Sequence, residues 1–287
     1  MDRMILVTGA TGTIGRDVVR QLAERGAKVR ALTRDPAKAR VPAGVEVVRG
    51  DYGDPASLDA ALAGATAAFL LRPPGPEGGE DAALATAARN AGVARLVKLS
   101  AVFTGDFASG PSARWHVDGE RAVRDSGLAW TVLQPSSFAS NTLSWLDALR
   151  AGQPVPNMTG DGGSGVIDPR DVAEVAVRAL LDAGHAGRTY VLTGPEVISV
   201  PGQAAVLAEV LGRPVPTRDL SVDGTRDFLR TAWGMEGSRA EGVLTGLAFV
   251  RAGGNALVTE DVAEVLGRPA RTFRSWAADN VSLFEAS

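Results

Sequence analysis

The run "VTGATGTIG" sets Gly9, Gly12 and Gly15 three residues apart, with Thr11 and Thr13 between them. One glycine permits a sharp turn after a strand. Another lets backbone amides approach a diphosphate, and another lets helix and sheet pack closely. The helix that follows opens at Ile14 and offers unpaired N–H groups and the positive end of its dipole to an anion. The threonines add hydroxyl donors. The same spacing also serves a plain bend, so the strand before it and the amphipathic helix after it decide for a dinucleotide. A second group lies in "ALTRDP". An acidic residue there bonds a ribose 2′-hydroxyl and favours NAD. Asp35, however, precedes Pro36 and a short helical run, the position of an N-cap. Thr33 and Arg34 are left at the strand's tip, where the planar fork of arginine suits a 2′-phosphate. The pattern predicts NADP(H) preferred over NAD(H), against a merely solvated Arg34. In "GDYGD", Asp51 either accepts from an adenine amino group, with Tyr52 beside the base, or caps a turn.

Proton chemistry falls to "RWHVDGE", where His116 and Glu120 stand one helical turn apart and share a face. His116 is the candidate to donate a proton or orient a substrate, with Glu120 holding its ring. The alternative is a structural pair. A Tyr with a Lys four residues later is absent: Tyr52 and Tyr190 are followed at that distance by Ala56 and Gly194, and the lysines are Lys28, Lys38 and Lys98. There is no cysteine, which excludes disulfides, thiolate nucleophiles and zinc–cysteine sites. His185 in "DAGHAG" reads as exposed, and two histidines so far apart make no metal site.

These residues need a frame. Runs "MILVT", "KVRALT", "VEVVR", "AAFLL", "RLVKLS" and "AWTVLQ" read as strands, with Ala-rich helical stretches between them. Ile14, Val18 and Leu22 share one face of the first helix, and Gly26 stops it. The alternation predicts an α/β fold, a Rossmann-type doubly wound parallel sheet with right-handed crossovers. Ligands of such sheets bind at the strands' carboxyl edge, where Leu70, Leu71 and Arg72 end the fourth strand. "GQPVPNMTGDGGSG" reads as a loop, functional or mobile. Asp168 is a candidate N-cap, with Pro169 at the first position of the next helix. A strand "RTYVLTG" follows, then a mostly helical region with an extended piece near Val215. The expected division is 1–151 with 168–195 as the cofactor domain, and 152–167 with 196–287 as a smaller substrate-binding region. Phe228, Met235, Leu244 and Leu247 fill its core or line an apolar pocket, with Trp233 and Phe249 as pocket candidates. "RTFRSWAADNVSLF" reads as a final amphipathic helix for its own domain or a dimer.

The chain has 287 residues, 45% apolar and 22% charged, with a formal net charge of -3. No basic block suggests nucleic acid, and no run spans a bilayer. The first strand starts beside Met1, leaving no signal peptide, so a cytoplasmic monomer or homodimer is expected.

With "TGATGTIG", "ALTRDPAKA", "GDYGDPASLDAAL", "RLVKLSA", "RWHVDGERAVRDSGLAWTVLQPSSFASN", "DPRDVAEVAVRAL" and "RTYVLTGPEVIS", the chain resembles the NmrA-like branch of atypical short-chain dehydrogenases/reductases over nearly its whole length. That branch holds NADPH-dependent quinone and triphenylmethane-dye reductases and also non-catalytic regulators. The resemblance implies that Ser100 lies near the nicotinamide ribose, although a strand-ending serine also caps its own turn. It implies that Pro135, Phe138 and Asn141 wall the nicotinamide end, Asn141 toward substrate. It places His116 where related reductases carry Lys or His. Arg72 departs from the usual Thr or Ser, and Gln134 from the usual Arg.

A ketone reduced by hydride becomes an alkoxide that needs a strong acid. A quinone becomes a stabilised hydroquinone anion, and a triaryl cation becomes neutral. Alignment and water exclusion then suffice. The leading expectation is an NADPH-dependent reductase of a small aromatic or conjugated acceptor. The alternative is a redox sensor that acts through a protein partner. A nucleotide-sugar epimerase is disfavoured by the missing Tyr–Lys pair.

Overall fold

The computed structural model describes residues 3–71, 79–103 and 111–285, with backbone alone at 111–115. In chain order the strands are β1 (Met4–Val7), β2 (Lys28–Thr33), β3 (Glu46–Arg49), β4 (Ala65–Leu70), β5 (Arg95–Leu99), β6 (Ala129–Pro135), β7 (Val155–Asn157), β8 (Gly163–Gly165), β9 (Arg188–Leu192), β10 (Val197–Ser199) and β11 (Thr217–Asp219). The helices are α1 (Thr13–Glu24), α2 (Pro55–Leu62), α3 (Glu80–Asn90), α4 (Pro111–Arg124), α5 (Leu146–Arg150), α6 (Pro169–Leu181), α7 (Val200–Leu211), α8 (Val222–Trp233), α9 (Gly237–Arg251), α10 (Asp261–Leu266), α11 (Phe273–Asp279) and α12 (Val281–Glu285).

Seven strands form one sheet in the order β3-β2-β1-β4-β5-β6-β9. The first six pair in parallel, which requires crossover connections between them. Their near-continuous apolar runs reflect burial on both faces. Alternate residues of β1 go to opposite faces. Leu6 joins Leu58, Leu62, Leu84 and Leu96 in one cluster with α2 and α3. Helices α1 and α6 pack on each other. The strand order reverses between β1 and β4, so a crevice opens beyond their carboxyl ends.

The chain divides into two compact units. The first holds residues 1–108, 114–135 and 169–191; the second holds 109–113, 136–168 and 192–287. The boundary falls at Pro135, whereas the sequence pattern puts it after residue 151. The reason is a 3-10 segment at Ala139–Trp145 that leads into α5. Trp145 and Leu149 bury with Leu207, Phe273, Trp276 and Phe284 in the second unit's own core. The expected single terminal helix is two, α11 and α12, separated at Asn280, whose side-chain amide donates to the Trp276 carbonyl. The loop "GQPVPNMTGDGGSG" contains β7 and β8 and is tied by Asn157, fully buried, which donates to Gly160 O and Asp219 Oδ1 and accepts from Thr159 N. Among the described residues, no helix is long and apolar enough to cross a membrane.

Candidate cofactor cleft, polar cluster and second-unit cavity

The three glycines divide the work of the opening turn. Gly9 has a φ of 60°, in the left-handed region, and an added Cβ would meet Leu71 Cδ2 at 2.6 Å. Gly15 lies against the turn itself: a Cβ there would sit 2.1 Å from Gly9 O. Gly12 is the N-cap residue of α1, extended at φ −81°, and its nearest neighbour would be Gly9 O at 3.4 Å. Bulk is thus barred at Gly9 and Gly15 by the protein and left open at Gly12. No side chain caps α1, so the orphan N–H groups of its first turn remain available to an anion. Thr11 and Thr13 are exposed at this end, while the Ile14 side chain is buried.

Gly9, Thr11, Gly12, Thr33, Arg34, Asp51, Tyr52 and Leu71 line one cleft of about 430 Å³, with Leu32, Gly50, Gly53 and Glu80 completing it. Arg34 is exposed, and among the described residues no carboxylate pairs with it. Asp35 stands at the N-cap of a 3-10 turn, Pro36–Lys38, without making a side-chain cap bond. Its carboxylate instead pairs with Lys38 Nζ at 3.0 Å, and it does not line the cleft. Asp51 Oδ1 accepts from Gly53 N at 2.9 Å, the turn-capping alternative. Tyr52 donates to Leu71 O at 2.8 Å. Leu70 is wholly buried in the core. Arg72 lies outside the described residues.

The sequence reading missed Thr8. It is fully buried, and its hydroxyl accepts from Leu71 N at 2.8 Å and reaches Phe69 O and Leu71 O. That bond ties the ends of β1 and β4 together at the crevice. Its signal was a β-branched hydroxyl directly before the glycine turn. Glu80 was also missed, because it reaches the cleft from α3, across the chain from the motif.

The second constellation lies at the ends of β5 and β6 and on α4. Glu120 is 2% exposed. Its Oε1 accepts from Ser100 Oγ at 2.5 Å and Gln134 Nε2 at 2.8 Å, and its Oε2 pairs with Arg124 Nη2 at 2.7 Å. Ser100 Oγ also meets His116 Nδ1 at 3.4 Å. The pairing expected of His116 and Glu120 therefore runs through Ser100. Gln134, at a position where the resemblance implies Arg, keeps a donor on Glu120. Lys98 is fully buried and bonded to Asp81 Oδ2 at 2.9 Å. Tyr190 bonds His185 Nδ1 at 2.8 Å. His185, read as exposed, is half-buried, and burial lowers its pKa from the ordinary 6.5. Pro135 is buried at the end of β6.

The second unit has its own cavity of about 550 Å³. Phe138, Asn141, Trp145, Met158, Val166, Trp233, Leu247 and Val250 line it, with Ser137, Ser140, Thr142, Ser144, Thr159, Ser164 and Gln203 as its polar edge. Phe138, Asn141 and Trp233 line this cavity together, and Pro135 does not. Phe249 does not line it; its ring lies against Gly254, where only a glycine leaves room.

Sheet order, glycine turn and crevice define the class: a dinucleotide-binding α/β protein. A family model described as NAD(P)H-binding matches residues 9–183. The chain belongs to this NAD(P)H-binding family, in the NmrA-like branch of the atypical short-chain dehydrogenases/reductases. It is 46% identical to (4-alkanoyl-5-oxo-2,5-dihydrofuran-3-yl)methyl phosphate reductase of Streptomyces griseus, covering 98% of this chain and 99% of that one. It is 37% identical to the NAD(P)H azoreductase of Xenophilus azovorans, over 99% and 100%. The crystal structure of an NADPH-dependent quinone oxidoreductase of Escherichia coli complexed with NADPH superposes with a TM-score of 0.84 at 28% identity, over 97% and 100%. The protein is accordingly an NAD(P)H-dependent oxidoreductase.

Proposed function

We propose that the protein is an NADPH-preferring reductase of small conjugated acceptors, quinones or dye-like aromatics. The observation that carries the cofactor preference is the tip of β2. Arg34 lines the glycine cleft without a carboxylate partner among the described residues, while its chain neighbour Asp35 pairs with Lys38 and does not line the cleft. A guanidinium so placed favours a 2′-phosphate. The cleft fits the dinucleotide, since Gly9 and Gly15 admit no side chain and the first turn of α1 is uncapped. NADPH, when bound, supplies a hydride. Thr11, Gly12 and the N–H groups near Thr13, Ile14 and Gly15 hold the diphosphate. Thr33 and Arg34 hold the 2′-phosphate, and Tyr52 flanks the adenine side. Leu70 and Leu71 shape the crevice through backbone and packing.

The acceptor site is the cavity of the second unit, whose aromatic and aliphatic walls suit a flat ring. Within the first unit, Ser100 and Glu120 orient His116 as the group that would supply a proton. Phe138 and Asn141 would wall the acceptor in the second unit's cavity. Conjugated acceptors suit a site without a Tyr–x3–Lys pair, because the charge they gain is delocalised or cancels a positive one. The test follows NADPH consumption with a panel of quinones and cationic dyes. Turnover of either class supports the reading. Absence of turnover, together with different affinities for NADP+ and NADPH, would favour the sensor reading instead.

A further inference from the structure

In the stretch Gly162–Gly165, Ser164 carries the single side chain, and it lies between glycines that are crowded by their neighbours. An added Cβ at Gly162 would sit 2.1 Å from Val250 O, one at Gly163 2.6 Å from Val197 Cγ1, and one at Gly165 2.3 Å from Leu257 O. The backbone is pressed against its neighbours on three of four positions. Ser164 is the exception, and it lines the cavity while only 5% exposed.

Ser164 is held from behind. Asn255 Nδ2 donates to Ser164 Oγ at 2.8 Å in a buried hydrogen bond. Asn255 itself is 6% exposed, and its Oδ1 has no hydrogen-bond partner. The amide supplies the hydrogen in that bond, so the serine's own proton is left to donate. A buried donor without a fixed acceptor is costly, and a ligand oxygen in the cavity would satisfy it.

We propose that Ser164, poised by Asn255, is the specificity residue that donates a hydrogen bond to a carbonyl oxygen of the acceptor. This rests on the reductase reading and narrows it: the site selects quinone-like or other carbonyl-bearing conjugated acceptors over cationic triarylmethane dyes, which carry no such oxygen. Asn255 is a positioning residue that keeps the serine proton turned away from itself.

Trp145 and Trp233 line the same cavity, so acceptor binding is read by tryptophan quenching without cofactor or turnover. The probe is 2-methyl-1,4-naphthoquinone. Ser164→Ala is expected to raise its Kd about three- to tenfold, the loss of one neutral hydrogen bond. In turnover, KM for the quinone rises by the same factor with kcat nearly unchanged, and kcat/KM for crystal violet stays within about twofold. Asn255→Asp offers the serine an acceptor, draws its proton back, and reproduces the quinone defect with the hydroxyl still present. Equal losses for quinone and dye would mark a structural role and overturn the proposal. An unchanged quinone Kd in Ser164→Ala would overturn it too, whether or not Asn255→Asp folds. If the wild type turns over neither acceptor but its quinone Kd still depends on Ser164, the reductase reading fails and the subsite stands.

Discussion

At the residue scale, Arg34 and Asp35 show how one position can mislead. Asp35 is close to where a ribose-binding acid belongs, yet its carboxylate is spent on Lys38, and Arg34 is the one that lines the cleft. Charge-assisted bonds to a phosphate contribute roughly 1.5–3 kcal/mol. Arg34→Ala should therefore weaken NADPH about tenfold or more and NADH less than about twofold, read by calorimetric titration. Equal losses would leave Arg34 without a phosphate role. The buried Glu120 holds Ser100, Gln134 and Arg124 together. Glu120→Gln introduces an amide donor facing donors, so kcat with quinones should fall several-fold while the Kd for NADPH holds. His185 supplies a pH dependence of stability. Burial lowers its folded pKa below 6.5, so the unfolded chain binds the proton more readily. Stability from this group is full above about pH 6.5 and is lost as pH falls toward the depressed folded value. His185→Gln should flatten that part of the profile in thermal melts.

At the scale of elements, the glycine turn separates stability from binding. Gly15→Ala puts a methyl into Gly9 O, so the protein should lose about 2 kcal/mol or more and its Tm should drop, as backbone overlap cannot relax cheaply. Gly12→Ala meets nothing closer than 3.4 Å, so Tm should change little. The added methyl at the cleft should still weaken NADPH binding. The pair Lys98–Asp81 joins β5 to α3, and Gly119 of α4 is shaped around it: a Cβ there would be 2.2 Å from Asp81 Oδ2. Lys98→Met strands a buried carboxylate and should cost about 3–5 kcal/mol in denaturant unfolding.

Much of this scale was legible. The β2 run "KVRALT" coincides with the observed strand, and the glycine turn sits between β1 and α1 as its spacing requires. Periodicity and turn chemistry are local, so a single sequence carries them. What was not legible depends on long-range contact. Ser100 comes between His116 and Glu120 only because the residue that follows β5 bonds to side chains of α4. Phe249 falls on the wrong side of α9 for the cavity because Gly254 gives its ring a seat. The tie of Thr8 to β4 and the backing of Ser164 by Asn255 span 63 and 91 residues, beyond any motif.

At the scale of the whole molecule, each unit has its own core and its own concave site. The first carries the glycine cleft, the second the cavity of about 550 Å³. A ligand that binds only the folded state raises stability in proportion to the logarithm of its concentration. NADPH at about a hundred times its Kd should add roughly 2.7 kcal/mol to unfolding of the unit that holds the cleft. A quinone alone should protect the second unit without that gain. The most direct test is the initial rate of NADPH oxidation with 2-methyl-1,4-naphthoquinone, compared with NADH under the same conditions. The account predicts enzyme-dependent turnover with kcat/KM for NADPH about tenfold or more above that for NADH. Oxidation of neither cofactor above the uncatalysed rate, or equal values for both, would contradict it.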